Sequence, residues 1–448
     1  MSYMSYPQRS TRLEYLGFPQ DYGPWTYRAV PDPFISSELA RLASAQIITG
    51  KASTTSCVSL QPCPDPDERS QDRFLVLDWD GWSFAAVFDG HGGEEAVDYV
   101  IEELPSFIRT ALTEALTDAG TTPIGRSAVS SLLQSSIQAV DDALTNAVKR
   151  LFPDEVALAA LTDEQIKSTI NGPFNANNLA ILRCMRGTTA LVSLVDPKKE
   201  NLWVASLGDC QAVLGVKNSN GTWDATILSA NHNGANHAEV ARIRKEHPGE
   251  SECVKSGRVL GAIAVTRGEY FLLTPRPAVN IRRFYLHDYL AIGDHIFKLP
   301  SSYTNRVFMN CVPGFRVSTK LEDLLPRIKS PPYLSALADI QHVALSPSTA
   351  NKCEAFLILC SDGLVDLYRY TKPRRPALQE IATQWVHALG ERMDGKIAKV
   401  GGEDNTALVL LRHALMGGRE DPDRLAQMLT LEIPWRWMDD TTVLVQSL

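Results

Sequence analysis

The order of elements in this chain predicts an α+β fold, with antiparallel sheet and helix stacked in layers. Strand-like pairs and long helical stretches come in separate blocks rather than in strict alternation. Two short apolar runs, at 84–88 and 355–360, lead into Asp89-Gly90-His91-Gly92-Gly93 and Ser361-Asp362-Gly363. Runs of that length, closed by a turn signal, suit buried strands. The glycine after each Asp permits a sharp turn and a close backbone approach. Each Asp then sits on a rigid support at the rim of a sheet, although Asp-Gly alone is also a favoured turn dipeptide.

Along the chain, the first 52 residues are rich in Tyr, Pro and Ser and read as a weakly structured arm. Gln61-Pro62-Cys63-Pro64-Asp65-Pro66-Asp67 reads as a loop. Residues 73–78 and 83–88 form a predicted hairpin around Trp79-Asp80-Gly81. Two amphipathic helices follow at about 94–116 and 127–151, the first with Val97, Val100, Ile101, Leu104, Ile108 and Leu112 at helical spacing. Residues 188–195 and 201–207 make a second hairpin, and a helix is expected at about 235–246. After an irregular region at 251–332 come a strand at 355–360, a helix at about 376–393, and strands at 406–411 and 442–445. No internal repeat is present, and one domain from 53 to 448 accounts for the elements.

The 448 residues, 44% hydrophobic and 21% charged, have the composition of an ordinary globular protein. A net charge of −8 argues against broad nucleic-acid binding, which needs a basic face. No apolar run approaches the ~20 residues that span a bilayer, so membrane insertion is not expected. The eight cysteines are scattered without a Cys-x-x-Cys, which speaks for a reducing, intracellular setting over zinc or a disulfide framework. Residues 1–20 make no secretory signal and a poor mitochondrial one.

Carboxylates stand where strands meet loops: Asp72, Asp89, Asp209, Asp362 with Asp366, and Asp439-Asp440. Each alone reads as a surface turn residue. Together they look like oxygen ligands for hard divalent cations, since so many acids repel one another unless cations bind among them. The Gly90 carbonyl can add a neutral oxygen because no side chain blocks it. On the carboxylates alone, an unrelated divalent-metal hydrolase is also open.

Five blocks in order carry a family resemblance: Phe88-Asp89-Gly90-His91-Gly92-Gly93, Gly187-Thr188-Thr189-Ala190, Gly208-Asp209-Cys210-Gln211-Ala212, Ser361-Asp362-Gly363-Leu364-Val365-Asp366 and Asp439-Asp440-Thr441-Thr442-Val443. Over roughly 55–448 the chain resembles protein phosphatase 2C, the metal-dependent serine/threonine phosphatases. Glu246-His247-Pro248, 256–261, Pro331-Pro332-Tyr333-Leu334 and the spacer at 405–414 look most like its pyruvate dehydrogenase phosphatase branch. The resemblance implies a four-layer αββα sandwich with two Mg²⁺ or Mn²⁺ ions at one end. It implies Asp89 as the bridging ligand, the Gly90 carbonyl, Asp362 and Asp439 completing the shell, Asp72 as a ligand or supporting acid, and Asp209 and Asp366 at a third, weaker site. His91 matches the general acid. A water between two cations loses its proton readily, so no nucleophilic side chain is needed, and a protonated His91 can serve the leaving oxygen. The implied substrate is a phosphoprotein, and the branch suggests a mitochondrial one, with the cytoplasm as the alternative.

Two departures stand out. The acid usual before Asp72 is Gln71, and no upstream phosphate-contacting cation is obvious, leaving Arg69 and Arg73 as weak candidates. The block Arg258-Val259-Leu260-Gly261 breaks after Arg267 and resumes at Ala291-Ile292-Gly293-Asp294. Residues 268–290 thus read as a loop insertion or a translated intron, with an unrelated Asp294 as the plainer alternative. The expected activity is phosphoserine/phosphothreonine hydrolysis. A catalytically silent module of the same fold, favoured by Gln71 and the interrupted block, is the rival.

Overall fold

The structure, a computed structural model, describes residues 6–12, 23–32, 34–51, 53–63, 65, 69–172, 176–232, 237–255, 257–264, 291–315, 321–345, 354–368, 376–395, 404–433 and 436–448. The segment 268–290 lies outside the described residues.

Two antiparallel sheets face each other. The early strands and helices are β1 (Gln8–Thr11), β2 (Trp25–Arg28), α1 (Phe34–Leu42), β3 (Gln46–Thr49), β4 (Thr54–Leu60), β5 (Asp72–Trp79), β6 (Trp82–His91), α2 (Glu95–Ala119) and α3 (Arg126–Leu151). They are followed by β7 (Gly187–Thr188), β8 (Ala190–Val195), β9 (Asn201–Leu207), β10 (Gln211–Lys217) and β11 (Trp223–Ile227). One sheet runs β11, β10, Ala355–Cys360, Thr441–Ser447, β4, β3. The other runs Ile292–Gly293, β7, β6, β8, β9, Asp339–Ala344, with β5 beside β6.

Side chains alternate across a strand, and the central strands use both faces. Phe84, Ala86 and Phe88 of β6 pack with Val97, Val100, Leu133 and Ile137 of α2 and α3. Ala85 and Val87 instead meet Leu357, Leu359 and Leu444 between the sheets. In the second sheet Phe356, Ile358, Val443 and Val445 pack against helices carrying Trp385, Leu389 and Leu411. Helix, sheet, sheet and helix therefore form four layers, as expected. Strands buried on both faces appear in the sequence as continuous apolar runs, and each large apolar side chain so buried contributes about 1.5–3 kcal/mol.

Two expectations fail locally. Residues 406–411 are not a strand but the first part of the helix Thr406–Leu415. Asn405 caps it, accepting from the Leu408 N–H at 2.9 Å. A short apolar run does not separate buried strand from buried helix, and here the cap decides. The 1–52 stretch also contributes regular structure. β1 pairs with β2 and β3 with β4, and Ile35 and Leu39 of α1 are buried in the outer helical layer. Tyr27 donates its hydroxyl to Asp423 at 3.0 Å, and Arg412 reaches Asp32 at 2.7 Å.

Candidate metal centre

The acids gather at one rim because register and turns place them there. In the β5–β6 hairpin Asp72 stands directly opposite Asp89. Like charges at opposed positions of an antiparallel pair are destabilising, so this pairing needs a compensating charge. The backbone of Asp89 is clamped by the Gly-Thr-Thr block. Its N–H donates to Thr189 Oγ1 at 2.9 Å, and its carbonyl accepts from the Thr189 N–H at 2.9 Å and from Thr188 Oγ1 at 3.1 Å.

Asp209 follows β9 after Gly208, whose φ of +110° suits only glycine. Asp362 opens the turn after Ala355–Cys360. The next residue must be glycine, since a Cβ on Gly363 would lie 1.9 Å from the Asp440 carbonyl oxygen. That close approach draws Asp362 and the Asp439-Asp440 segment together. Ser361 completes the join: its Oγ donates to Asp72 Oδ2 at 2.7 Å and accepts from the Thr442 N–H at 2.9 Å.

One carboxylate oxygen from each of Asp89, Asp209 and Asp362 lies within 4.8 Å of the others, and the same holds for Asp362, Asp366 and Asp439. Asp362 is common to both groups. Burial, followed by the charges of Asp72, Asp362, Asp439 and Asp209, holds the Asp89 carboxyl well above the usual carboxylate range. Burial and then Asp440 do the same to Asp72. One buried oxygen of Asp72, Oδ1, has no hydrogen-bond partner among the described residues. An all-oxygen, anionic donor set of this kind fits a hard divalent cation such as Mg²⁺ or Mn²⁺.

The remaining predicted residues divide. His91 ends β6, 3% exposed, with Nε2 2.5 Å from Asp294 Oδ2. Arg73 is committed to Asp98 at 2.8 Å and to the carbonyls of Ser70 and Asp72. Arg69 is mostly exposed, 3.9 Å from Glu94. Among the described residues, the basic group that meets the acids is Arg436, whose Nη2 lies 2.9 Å from Asp439 and 2.8 Å from Asp440. Its place three residues before Asp439 was the only sequence signal. Gln71 accepts from the Gly93 N–H at 2.9 Å, and its own N–H donates to Asp440 at 2.7 Å, so the substituted residue is a backbone brace.

Asp294 is the other residue absent from the predicted set. Its backbone takes a left-handed conformation at φ +51°, and its N–H donates to the Arg186 carbonyl at 2.8 Å. The His91–Asp294 pair lies over Gly187, where a Cβ would come within 2.2 Å of both His91 Nε2 and Asp294 Oδ2. Glycine at 187 is the space in which the pair forms.

A helix-flanked double sheet carries at its rim a carboxylate centre whose oxygens could hold a metal ion. The model of the protein phosphatase 2C family matches residues 71–373, more than half of the 448. The chain belongs to the protein phosphatase 2C family, and so to the protein serine/threonine phosphatases. A protein phosphatase 2C homolog of Schizosaccharomyces pombe is 27% identical over 407 residues, covering 86% of this chain and 78% of that protein. The mitochondrial [pyruvate dehydrogenase [acetyl-transferring]]-phosphatase 1 of Bos taurus is 29% identical over 330 residues, 68% of this chain and 54% of its own. The chain thus spans about half the length of that relative. The solved serine-threonine phosphatase 2C of Toxoplasma gondii aligns with 90% of this chain and 98% of its own at 16% identity, TM-score 0.44.

Proposed function

We propose that this chain hydrolyses phosphoserine and phosphothreonine on protein substrates at the Asp72–Asp89–Asp362 rim, with two Mg²⁺ or Mn²⁺ ions and a third, weaker site. The observation that carries the reading is the opposition of Asp72 and Asp89 on paired strands, with Asp209 and Asp362 beside Asp89. Asp89, the Gly90 carbonyl, Asp362 and Asp439 would hold the principal ions, and Asp209 and Asp366 the weaker one. When bound, such cations lower the pKa of a water and neutralise phosphate oxygens.

The chain's own residues do the rest. Asp72, tied through Ser361, fixes the strand end opposite Asp89. His91 hydrogen-bonds Asp294 through Nε2, which leaves Nδ1 as its proton-exchanging nitrogen. As the oxygen of water bonds to phosphorus and the ester P–O bond breaks, His91 passes a proton to the departing seryl or threonyl oxygen. No phosphoenzyme forms, and the products are the free hydroxyl and phosphate. Of the two arginines read from the sequence, exposed Arg69 is the better phosphate contact, because Arg73 is braced against Asp98.

The likeness to mitochondrial pyruvate dehydrogenase phosphatases, at 29% identity for the Bos taurus protein, supports a mitochondrial phosphoprotein as substrate. The S. pombe relative's name carries no such location, which keeps the cytoplasm as the alternative. The test is release of phosphate from a phosphothreonine peptide with Mn²⁺ or Mg²⁺ and then excess chelator, repeated for Asp89→Asn. Metal-dependent turnover lost in the variant supports the reading. A folded, metal-binding wild type without turnover replaces it with the silent module. Phosphorylated pyruvate dehydrogenase hydrolysed no faster than an unrelated phosphoprotein would remove the substrate assignment alone.

A further inference from the structure

A second buried ionic cluster lies away from the carboxylate centre, on α3. Asp141 and Lys298 are both at least nine-tenths buried, with Lys298 Nζ 2.8 Å from Asp141 Oδ1. The same carboxylate oxygen accepts the backbone N–H of Gly293 at 2.8 Å. Lys298 Nζ turns back to donate to the Ala291 carbonyl at 2.6 Å, and His295 Nε2 lies 3.7 Å from Asp141. Residues 291–298 are therefore wrapped around one carboxylate from a helix of another layer. Inside that wrap is Asp294, whose carboxylate holds His91.

A buried ion pair is weak support for stability, because desolvating two charges offsets most of their attraction, and an apolar pair of equal volume often does as well. What the pair supplies here is a fixed position. It sets the Gly293 N–H and the Ala291 carbonyl, the two sides of the short strand that leads into Asp294. Gly293 adds a second constraint, since a Cβ there would lie 2.1 Å from the Arg186 carbonyl oxygen.

We propose that Asp141 and Lys298 are positioning residues for His91: they fix the 291–298 turn so that Asp294 holds the imidazole in the orientation that serves the leaving oxygen. The inference rests on the acid role of His91 given above. The partners of the two residues are each other, the Gly293 N–H, the Ala291 carbonyl and His295, none of them a member of the carboxylate centre.

The full chain is compared with Asp141→Asn/Lys298→Met, which removes both charges at similar volume, and with Lys298→Arg as the conservative form. Two substrates are used with Mn²⁺: a phosphothreonine peptide, whose leaving oxygen needs a proton, and p-nitrophenyl phosphate, whose phenolate does not. A displacement of about 1 Å costs on the order of 10²-fold, so the double variant should lose about that factor in kcat on the peptide. Its kcat on p-nitrophenyl phosphate and its calorimetric Mn²⁺ affinity should stay within about threefold, and Lys298→Arg should retain most peptide activity. Equal loss on both substrates, or no loss on either, overturns the proposal. An arm free of turnover is the downfield proton resonance expected for the short His91 Nε2–H to Asp294 bond. It should shift or vanish in the double variant, and an unchanged resonance also overturns the inference. A wild type inactive on both substrates counts against the proposed function, while this resonance still judges the positioning role.

Discussion

Asp89 and Asp141 are both buried acids, and their surroundings are opposite. Around Asp89 the acting charges are Asp72, Asp362, Asp439 and Asp209, which add to the effect of burial and raise its pKa. Around Asp141 burial also pushes upward, but Lys298 and His295, with hydrogen bonds from Lys298 and the Gly293 N–H, outweigh it and hold the carboxyl below its ordinary value. One cluster brings its own cation and is complete. The other gathers like charges on rigid strand ends, an arrangement that only an added cation relieves. Asp439 and Asp440 lie between the two cases, sharing Arg436. There burial outweighs the arginine, and the Asp440 pKa is raised all the same.

The largest effect should come from breaking the uncompensated side. Asp89→Asn is expected to cost at least about a thousandfold in turnover, because cation stabilisation of developing charge is worth several kcal/mol. The same change should raise the melting temperature of the metal-free protein, since it removes one of the mutually repelling charges. Lower metal-free stability would mean that Asp89 is held by an attraction stronger than its repulsion from Asp72, Asp362, Asp439 and Asp209. His91→Ala comes next, with an expected loss on a phosphothreonine peptide of about 10²–10⁴-fold, the usual range for a positioned general acid. Its Mn²⁺ affinity, read by calorimetry, should be nearly unchanged, and a large drop would assign His91 to metal binding instead.

How much of this contrast the residues reveal by themselves depends on how far apart the partners lie in the chain. Asp89 and Asp362 were legible because each closes an apolar run with Asp-Gly, a local signal of strand followed by turn. The sandwich was legible for a related reason: strands buried on both faces are continuously apolar, and α2 and α3 carry helical periodicity. The Thr406–Leu415 helix was misread because its apolar run suits either state and only Asn405 marks its start. The His91–Asp294 pair joins residues 203 apart; the interrupted block marks Asp294, but nothing local to it points to His91. Asp141 is more hidden still, in Val140-Asp141-Asp142-Ala143, where two adjacent acids on a helix read as a solvated face. Only the tertiary packing of α3 separates buried Asp141 from exposed Asp142.

Supplying the missing charge should relieve the acidic cluster. A ligand that binds only the folded state at a hundredfold its dissociation constant stabilises by about 2.7 kcal/mol per site. Saturating Mn²⁺ should accordingly raise the thermal midpoint by several degrees, and chelator should reverse it. In Asp89→Asn the increment should shrink. An increment of equal size in the variant would place the stabilising ion elsewhere.

The smallest effect belongs to the compensated side and appears only in acid. Because the folded-state pKa of Asp141 is lowered, its contribution to stability is fully present above the unfolded carboxylate value of about 3.9 and is lost as pH falls through the folded value. The groups facing it are Lys298, His295, whose burial disfavours protonation, and the Cys184 thiol, which burial pushes up. His295 also takes up protons as the pH falls, in wild type and variant alike, so the difference between the two curves, rather than either curve alone, reads the carboxylate. Denaturant unfolding followed from pH 6 to pH 3 should show wild-type stability declining more steeply below about pH 4 than that of Asp141→Asn/Lys298→Met. The difference in slope cannot exceed one proton, about 1.4 kcal/mol per pH unit. Parallel curves would show that the lysine does not hold Asp141 ionised in the folded chain. The contrast with Asp89 would then rest on the number of neighbouring acids rather than on a resident cation.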